Sequence, residues 1–127
     1  MISGNRSCAE VRRLSDCIFC KIVQGELPAD KVAETDDLLA FRDIRPQAPV
    51  HVLIIPKKHI PSAHAVTEED APLIGRLHRL AQQVAEQTGV AATGYRLVTN
   101  VGTHGQQTVH HLHYHLLGGR QLTWPPG

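Results

Sequence analysis

The sequence predicts an α+β domain built on a five-stranded antiparallel sheet, with one long and one short helix packed on it. Three observations carry that expectation. Short runs rich in apolar and β-branched residues, bounded by Pro, Gly and Asp, recur at residues 31–43, 50–55, 95–100 and 109–117. A single long amphipathic stretch, 67–88, interrupts them. The last two runs are joined by a short glycine-bearing loop, which suits antiparallel neighbours.

Residues 1–16 read as a polar N-terminal arm carrying Arg6, Arg12 and Arg13, with a short helical piece around Ala9 to Leu14. The domain proper is expected over 17–127. Cys17 to Val23 is apolar and stops at Gln24-Gly25, giving one or two turns of helix. Lys31 to Glu34 and Leu38 to Asp43 flank Thr35-Asp36-Asp37 as a β-hairpin. Val50 to Ile55 lies between Pro49 and Pro56 and is apolar on both faces, the mark of a central strand. The long helix is expected from Thr67 to Thr88. Leu73, Ile74, Leu77, Leu80, Ala81, Val84 and Ala85 recur at helical spacing, Glu68, Glu69 and Asp70 make an acidic first turn, and Gly89 ends it. Pro72 leaves Asp70 as an alternative cap. Tyr95 to Asn100 is a fourth strand. After the Gly102–Gln107 loop, Val109 to Leu117 is a fifth, closed by Gly118-Gly119.

At 127 residues with 42% hydrophobic and 20% charged side chains, the chain fits one domain with a real core. A formal charge of +1 provides no basic field for a nucleic-acid partner. No apolar run reaches the roughly 20 residues of a membrane helix, and the N-terminal stretch lacks the apolar segment of a secretory signal. These features point to cytoplasmic residence. There are three cysteines, and in a reducing compartment Cys17-x-x-Cys20 reads as a metal or redox pair before a disulfide. Cys8 has no evident partner.

Nine histidines against five aromatic rings put the informative chemistry in imidazole. Read as a strand, Val109 to Leu117 places His111, His113 and His115 on one face, and His110, Leu112, Tyr114 and Leu116 on the other. Three readings of that row are open. It is an exposed polar face, or a three-histidine metal site, or a catalytic row. The flat spacing spreads the rings over roughly 13 Å, too far for one ion to gather easily. A neutral imidazole whose tautomer is fixed by neighbours is a good nucleophile near neutral pH, and His113 stands in the middle. The loop Gly102 to Thr108 leads into it, and its backbone N–H groups offer an anion cradle.

His111-Leu112-His113-Tyr114-His115-Leu116-Leu117 resembles the signature of the histidine triad family. Ile18-Phe19, Ala40-Phe41-Arg42-Asp43-Ile44, Pro46-Gln47-Ala48-Pro49, Ile54-Ile55-Pro56-Lys57-Lys58-His59-Ile60, Gly118-Gly119-Arg120-Gln121 and the terminal Trp124-Pro125-Pro126-Gly127 are similar to its HINT branch. The resemblance covers residue 17 to the end. It implies a HIT-like domain that pairs into a homodimer. It also implies hydrolysis of the P–N bond in purine nucleoside 5′-phosphoramidates, including nucleotidyl-lysine adducts, through a nucleotidyl-histidine. His113 would be the nucleophile, with His111, His115, His51 and Thr108 as the other catalytic groups. Asp43 would bind the ribose hydroxyls, and Ile18, Phe19, Ile22, Phe41 and Ile44 the base. Asn100, Gly105, Gln107, Thr108 and Val109 would meet the phosphate together with His113 and His115. Trp124 would pack across the dimer near the partner's site. Other readings within the family are dinucleoside polyphosphate cleavage and nucleotidyl transfer; outside catalysis, the chain would be a nucleotide-binding adaptor. His110 and His104 depart from the branch, the first where an aromatic is frequent and the second where an acid is common.

The resemblance also bears on Cys17 and Cys20. In many bacterial relatives such a pair joins two histidines around a structural zinc, and the matching histidines here are His59 and His111. Cys₂His₂ is a closed tetrahedral set, suited to structure. Small buried side chains at a helix start, or a redox pair, are the other readings. No cofactor is expected for catalysis itself.

Overall fold

The computed structural model describes residues 5–10 and 17–127. In chain order the elements are β1 (Arg6–Ser7), α1 (Ile18–Val23), β2 (Lys31–Glu34), β3 (Leu38–Arg42), β4 (Val50–Pro56), β5 (Lys58–His59), α2 (Ala71–Thr88), α3 (Val90–Thr93), β6 (Tyr95–Thr99) and β7 (Tyr114–Gly118). Five strands form one antiparallel sheet in the order β2-β3-β4-β7-β6, and β1 pairs with β5 in a small separate ribbon. Alternation splits β4 between two cores. Val52 and Ile54 join Leu38, Ala40 and Leu116 against α2, which contributes Leu73, Leu77, Leu80, Ala81, Val84 and Ala85. Leu53 and Ile55 join Leu39 and Phe41 on the other face, under Phe19, Cys17 and Cys20 of the α1 region. The expected central strand is therefore central, with both faces covered.

The long helix begins later than its hydrophobic pattern suggests. Glu68–Asp70 form a separate 3₁₀ turn, and α2 starts at Ala71 with Pro72 in its first turn, where a missing N–H costs nothing. Asp70 takes the N-cap position of α2, but its side chain makes no capping bond there. Its carboxylate instead accepts from the Thr67 N–H at 3.2 Å and the Thr67 hydroxyl at 3.0 Å, closing the preceding turn. At the other end Gly89 takes φ 85°, the left-handed conformation a helix terminus asks of glycine. The short α3 had no signal strong enough to separate it from the end of α2.

The fifth strand differs most. It is expected from Val109, but the ladder begins at Tyr114. The physical reason is loss of partners. The β7 pairing runs from Gly118 opposite Val50 to Tyr114 opposite Ile54, and β6 pairs no further than Thr99 opposite Tyr114. Beyond that, the chain turns away and the Leu112 N–H bonds to Ile60 O at 2.6 Å. His111 and His113 therefore both precede the ladder and only His115 of the three stands on the strand, although Leu112, Tyr114 and Leu116 do share the α2 core. The helical piece expected around Ala9 to Leu14 is seen only in part: residues 8–10 are helical, and 11–14 lie outside the described residues.

Candidate active site

Strand register brings the first two histidines together. His51 pairs with Leu117 and Leu53 with His115, so His51 and His115 are diagonal neighbours on one face of the sheet. Their ring nitrogens, His51 Nε2 and His115 Nδ1, are 2.9 Å apart. The Gln47 backbone N–H donates to His51 Nδ1 at 3.0 Å. That bond decides the tautomers. A nitrogen that accepts carries no proton, so His51 holds its proton on Nε2 and donates it to His115 Nδ1. His115 must then carry its own proton on Nε2.

His113 is fixed by a different bond. Its Nδ1–H donates to the His111 carbonyl at 2.7 Å, which leaves the lone pair on Nε2. Phe19 packs edge-on to the His113 ring with centroids 5.1 Å apart, and the His115 ring lies 5.1 Å away on another side. Burial lowers the pKa of His113 despite the opposing pull of the His111 carbonyl and of Asp43. Burial and the neighbouring His113 and His51 hold His115 at about 4. Burial likewise lowers His51, against the attraction of Asp43. The row is thus neutral at neutral pH, and among His51, His111, His113 and His115 only His113 has an unengaged lone pair.

These shifts set a pH dependence for folding. His51 and His115 bind protons more readily in the unfolded chain, near 6.5, than in the fold. Unfolding therefore takes up protons below that value, and the stability held above it is lost as pH falls from 6.5 toward about 4. Urea melts at pH 7.5 and pH 5 should show a clearly lower midpoint in acid; equal midpoints would contradict the assignment.

Asp43 follows β3 and its carboxylate is 18% exposed. Oδ1 accepts the Arg45 N–H at 2.7 Å, while Oδ2 stands 3.5 Å from His51 Nε2 and faces the site. Asp43, His51 and His115 bring three ligand-type atoms within 4.8 Å. The Gln47 bond argues against a metal there, because it keeps a proton on the His51 nitrogen that would have to coordinate.

Phe19 and Phe41 are buried and in edge contact at 5.7 Å, so both belong to the core, and Phe19 is also the wall beside His113. Ile22 packs against the same cluster. Ile18 and Ile44 are the exposed members, at 49% and 93%. Trp124 is 79% exposed, with the Arg96 guanidinium 5.9 Å over its ring. His104 and His110 are exposed.

The loop after β6 folds tightly back on itself. The Gln106 N–H bonds to Thr103 O at 3.1 Å, the Gln107 N–H to Gly102 O at 3.0 Å, and Asn100 Nδ2 to Gly105 O at 2.7 Å. Gln106 is a non-glycine residue at φ 63°, a strained state of the kind held at functional sites. Thr108 is exposed at the loop's end, and Val109 packs on the α1-side core. The Gln107 side-chain amide donates to Pro61 O and Val109 O and accepts the Gly102 N–H, so it braces the loop. A Cβ at Gly105 would overlap the Val101 carbonyl. Gly105→Ala should therefore open the loop, lowering stability by about 1–3 kcal/mol and turnover more than that. A melting curve and a rate measurement on the same sample check this, and unchanged values for both would contradict it.

A second cluster lies behind the triad. Cys17, Cys20, His59 and His111 place four ligand atoms within 4.8 Å of one another. His111 Nδ1 is 3.5 Å from Cys17 Sγ, 3.6 Å from Cys20 Sγ and 3.2 Å from His59 Nδ1, and Cys20 Sγ is 3.4 Å from His59 Nδ1. The His111 Nε2–H donates to Pro56 O at 2.8 Å, which turns the Nδ1 lone pair toward the sulfurs. None of the cysteines is in a disulfide. The cluster forms because Cys17 caps α1, its sulfur accepting the Cys20 N–H at 3.3 Å, so both thiols face the same way.

Comparison with known proteins identifies the family. A family model described as "Scavenger mRNA decapping enzyme C-term binding" matches residues 16–123. An uncharacterized HIT-like protein of Synechococcus elongatus is 54% identical over 112 residues, covering 88% of this chain and 97% of that protein. The purine nucleoside phosphoramidase of Escherichia coli is 50% identical over 107 residues, covering 84% and 90%. Among solved structures, a HIT family hydrolase from Legionella pneumophila superposes with a TM-score of 0.86 at 55% identity, covering 88% of this chain and all of that one. With the fold, the two histidine clusters and these relatives together, the chain belongs to the histidine triad family.

Proposed function

We propose that the protein is a hydrolase of purine nucleoside 5′-phosphoramidates, splitting the P–N bond through a nucleotidyl-His113 intermediate. One observation carries the reading: His113 alone of the four clustered histidines keeps an unprotonated, unengaged nitrogen, with Nδ1 held by the His111 carbonyl. The 50% identity to a phosphoramidase supports the substrate class.

In the first step His113 Nε2 attacks the α-phosphorus and the P–N bond breaks. The departing amine takes a proton from the Thr108 hydroxyl or from His115 Nε2–H. In the second step water attacks the phosphorus of the nucleotidyl-histidine, its proton passes to the group that protonated the amine, and the His113 Nε2–P bond breaks to release the monophosphate. Loop N–H groups and the His115 donor stabilise charge on the non-bridging oxygens. His51 supports that donor by supplying its Nε2–H to His115 Nδ1. Asp43 Oδ2 accepts from the ribose hydroxyls, Ile18 and Ile44 flank the base with Phe19 and Phe41 behind, and Asn100, Gly105 and Thr108 shape the phosphate end. Asp43→Ala should raise KM about tenfold, and that penalty should vanish for a 2′,3′-dideoxy substrate. An equal penalty on both substrates would remove Asp43 from the ribose.

The Cys17, Cys20, His59 and His111 set fits zinc. Tetrahedral bonds of about 2.0 Å to nitrogen and 2.3 Å to sulfur put ligand atoms roughly 3.3–3.8 Å apart, and the observed contacts run from 3.2 to 3.6 Å. With four protein ligands the ion would be structural, tying α1 to the segment before β7. A homodimer is the proposed assembly. Among the described residues the outer edge of β6 pairs with no other strand, and Trp124 lies exposed near that edge beside Arg96. The proposed setting is the cytoplasm; no helix among the described residues is long and apolar enough to cross a membrane.

The test is release of AMP from adenosine 5′-phosphoramidate, run beside a dinucleoside polyphosphate. Faster release from the phosphoramidate is expected. Nucleotide binding with no turnover of either would move the protein to the adaptor reading, and faster turnover of the polyphosphate to the other hydrolase class.

A further inference from the structure

The family match spans residues 16–123, and the described residues 5–10 lie outside it. Those residues are folded onto the cysteine–histidine cluster. Arg6 pairs with His59, and Ser7 with Lys58, in the β1–β5 ribbon. Next, Ser7 and Glu10 close a reciprocal cap: the Glu10 N–H donates to Ser7 Oγ at 3.2 Å, and Glu10 Oε1 accepts the Ser7 N–H at 3.3 Å. This is the Ser-x-x-Glu pattern that starts a helical turn. It turns Cys8 inward, where it is 2% exposed and packs in one core with Cys17, Cys20 and Phe19. The Cys8 thiol donates to Lys57 O at 2.9 Å and also interacts with the Cys20 side chain. Before the ribbon, Asn5 Nδ2 bonds to the buried Asp70 carboxylate, which Lys58 Nζ meets at 2.6 Å. Strand pairing, a buried thiol and a carboxylate clamp thus all converge on residues 57–59.

We propose that residues 5–8 are a strap that locks the metal into the Cys17, Cys20, His59 and His111 cluster, with Cys8 as an outer thiol packed behind Cys20. This rests on the zinc reading above. His59 is the half-buried ligand of the four, and so the one through which the cluster would open. The strap pairs with its backbone and holds both preceding residues. Opening the cluster then requires the ribbon to separate and Cys8 to leave the core, which makes metal loss slow. Groups outside the first coordination sphere set metal retention in this manner generally. Cys8 itself is outside the group of four whose ligand atoms lie mutually within 4.8 Å, so its part is to pack and to exclude water, and not to bind the ion.

The test uses the full chain loaded with zinc. Zinc transfer to a colorimetric chelator is timed for the native protein, for Cys8→Ala, and for Ser7→Pro, which disrupts the ribbon and the cap without touching a ligand. Circular dichroism and melting confirm that each variant is folded. Transfer about tenfold faster in both variants is the expected result, with one zinc per chain at the start in all three. One zinc per chain lost at the native rate in both variants would overturn the strap and leave the zinc reading intact. A native chain that holds no zinc would overturn both.

Discussion

Replacing His113 with alanine will lower the rate of AMP release by on the order of 10⁴-fold, while leaving the fold and the metal cluster in place. The size follows from the absence of a substitute. His111 has Nε2 engaged by the Pro56 carbonyl and Nδ1 turned to the cysteines. His115 has Nδ1 engaged by His51, and His51 has Nδ1 engaged by the Gln47 amide. None of them can offer a lone pair to phosphorus without breaking a bond the fold makes. His115→Ala should cost less, about 10²-fold, because it removes one charge-stabilising donor and leaves the nucleophile. Steady-state rates on the two variants check the ranking. A His113→Ala protein with rates near native would end the nucleophile assignment, and a His115 variant as inactive as the His113 variant would mean the two act as one unit.

Chelating the proposed zinc is expected to destabilise the cluster side of the domain and to lower activity with it. One zinc per chain is expected by elemental analysis, lost in Cys17→Ser and in Cys20→Ser. Saturating a site a thousandfold above its dissociation constant adds about 4 kcal/mol to a fold, so prolonged chelation should lower Tm by roughly 10–15 °C. Partial structure should survive, because the α2-side core uses none of the cluster's residues. Activity should fall further than stability. The cluster holds His111, and the His111 carbonyl holds the His113 tautomer at 2.7 Å. Without a metal these groups are poorly suited to carry charge, since burial raises the Cys20 pKa well above the usual thiol value and holds His111 at about 4. A chelated protein with native Tm and native rate would refute the structural role.

Much of the fold was legible because its punctuation is local. β2, β3, β4 and β6 begin and end within a residue or so of their expected limits, where Pro49, the Thr35-Asp36-Asp37 turn and Gly94 interrupt the apolar runs. The last strand was half misread for the converse reason. His-x-His-x-His alternates like a strand, but whether it lies in a ladder depends on how far β4 and β6 extend, and that is a property of distant chain. The separate destinations of His111 and His113 follow from that bend. Two determinants of the site were invisible in principle. The Gln47 N–H that sets the His51 tautomer is a backbone group, common to nearly every residue. Gln107 carries the right side chain for a phosphate, and only the surrounding carbonyls show it bracing the loop. The β1–β5 ribbon is two residues long on each side, below any periodicity, although the Ser7–Glu10 spacing was there to be read as a cap.

The most direct test of the central claim is to catch the intermediate. Native protein mixed with adenosine 5′-phosphoramidate would be quenched within a turnover in alkaline denaturant, digested and mapped by mass spectrometry. The account predicts a nucleotidyl group on the peptide carrying His113, absent in His113→Ala. Rapid turnover with no adduct on that peptide, or an adduct on His115 or His51, would contradict it.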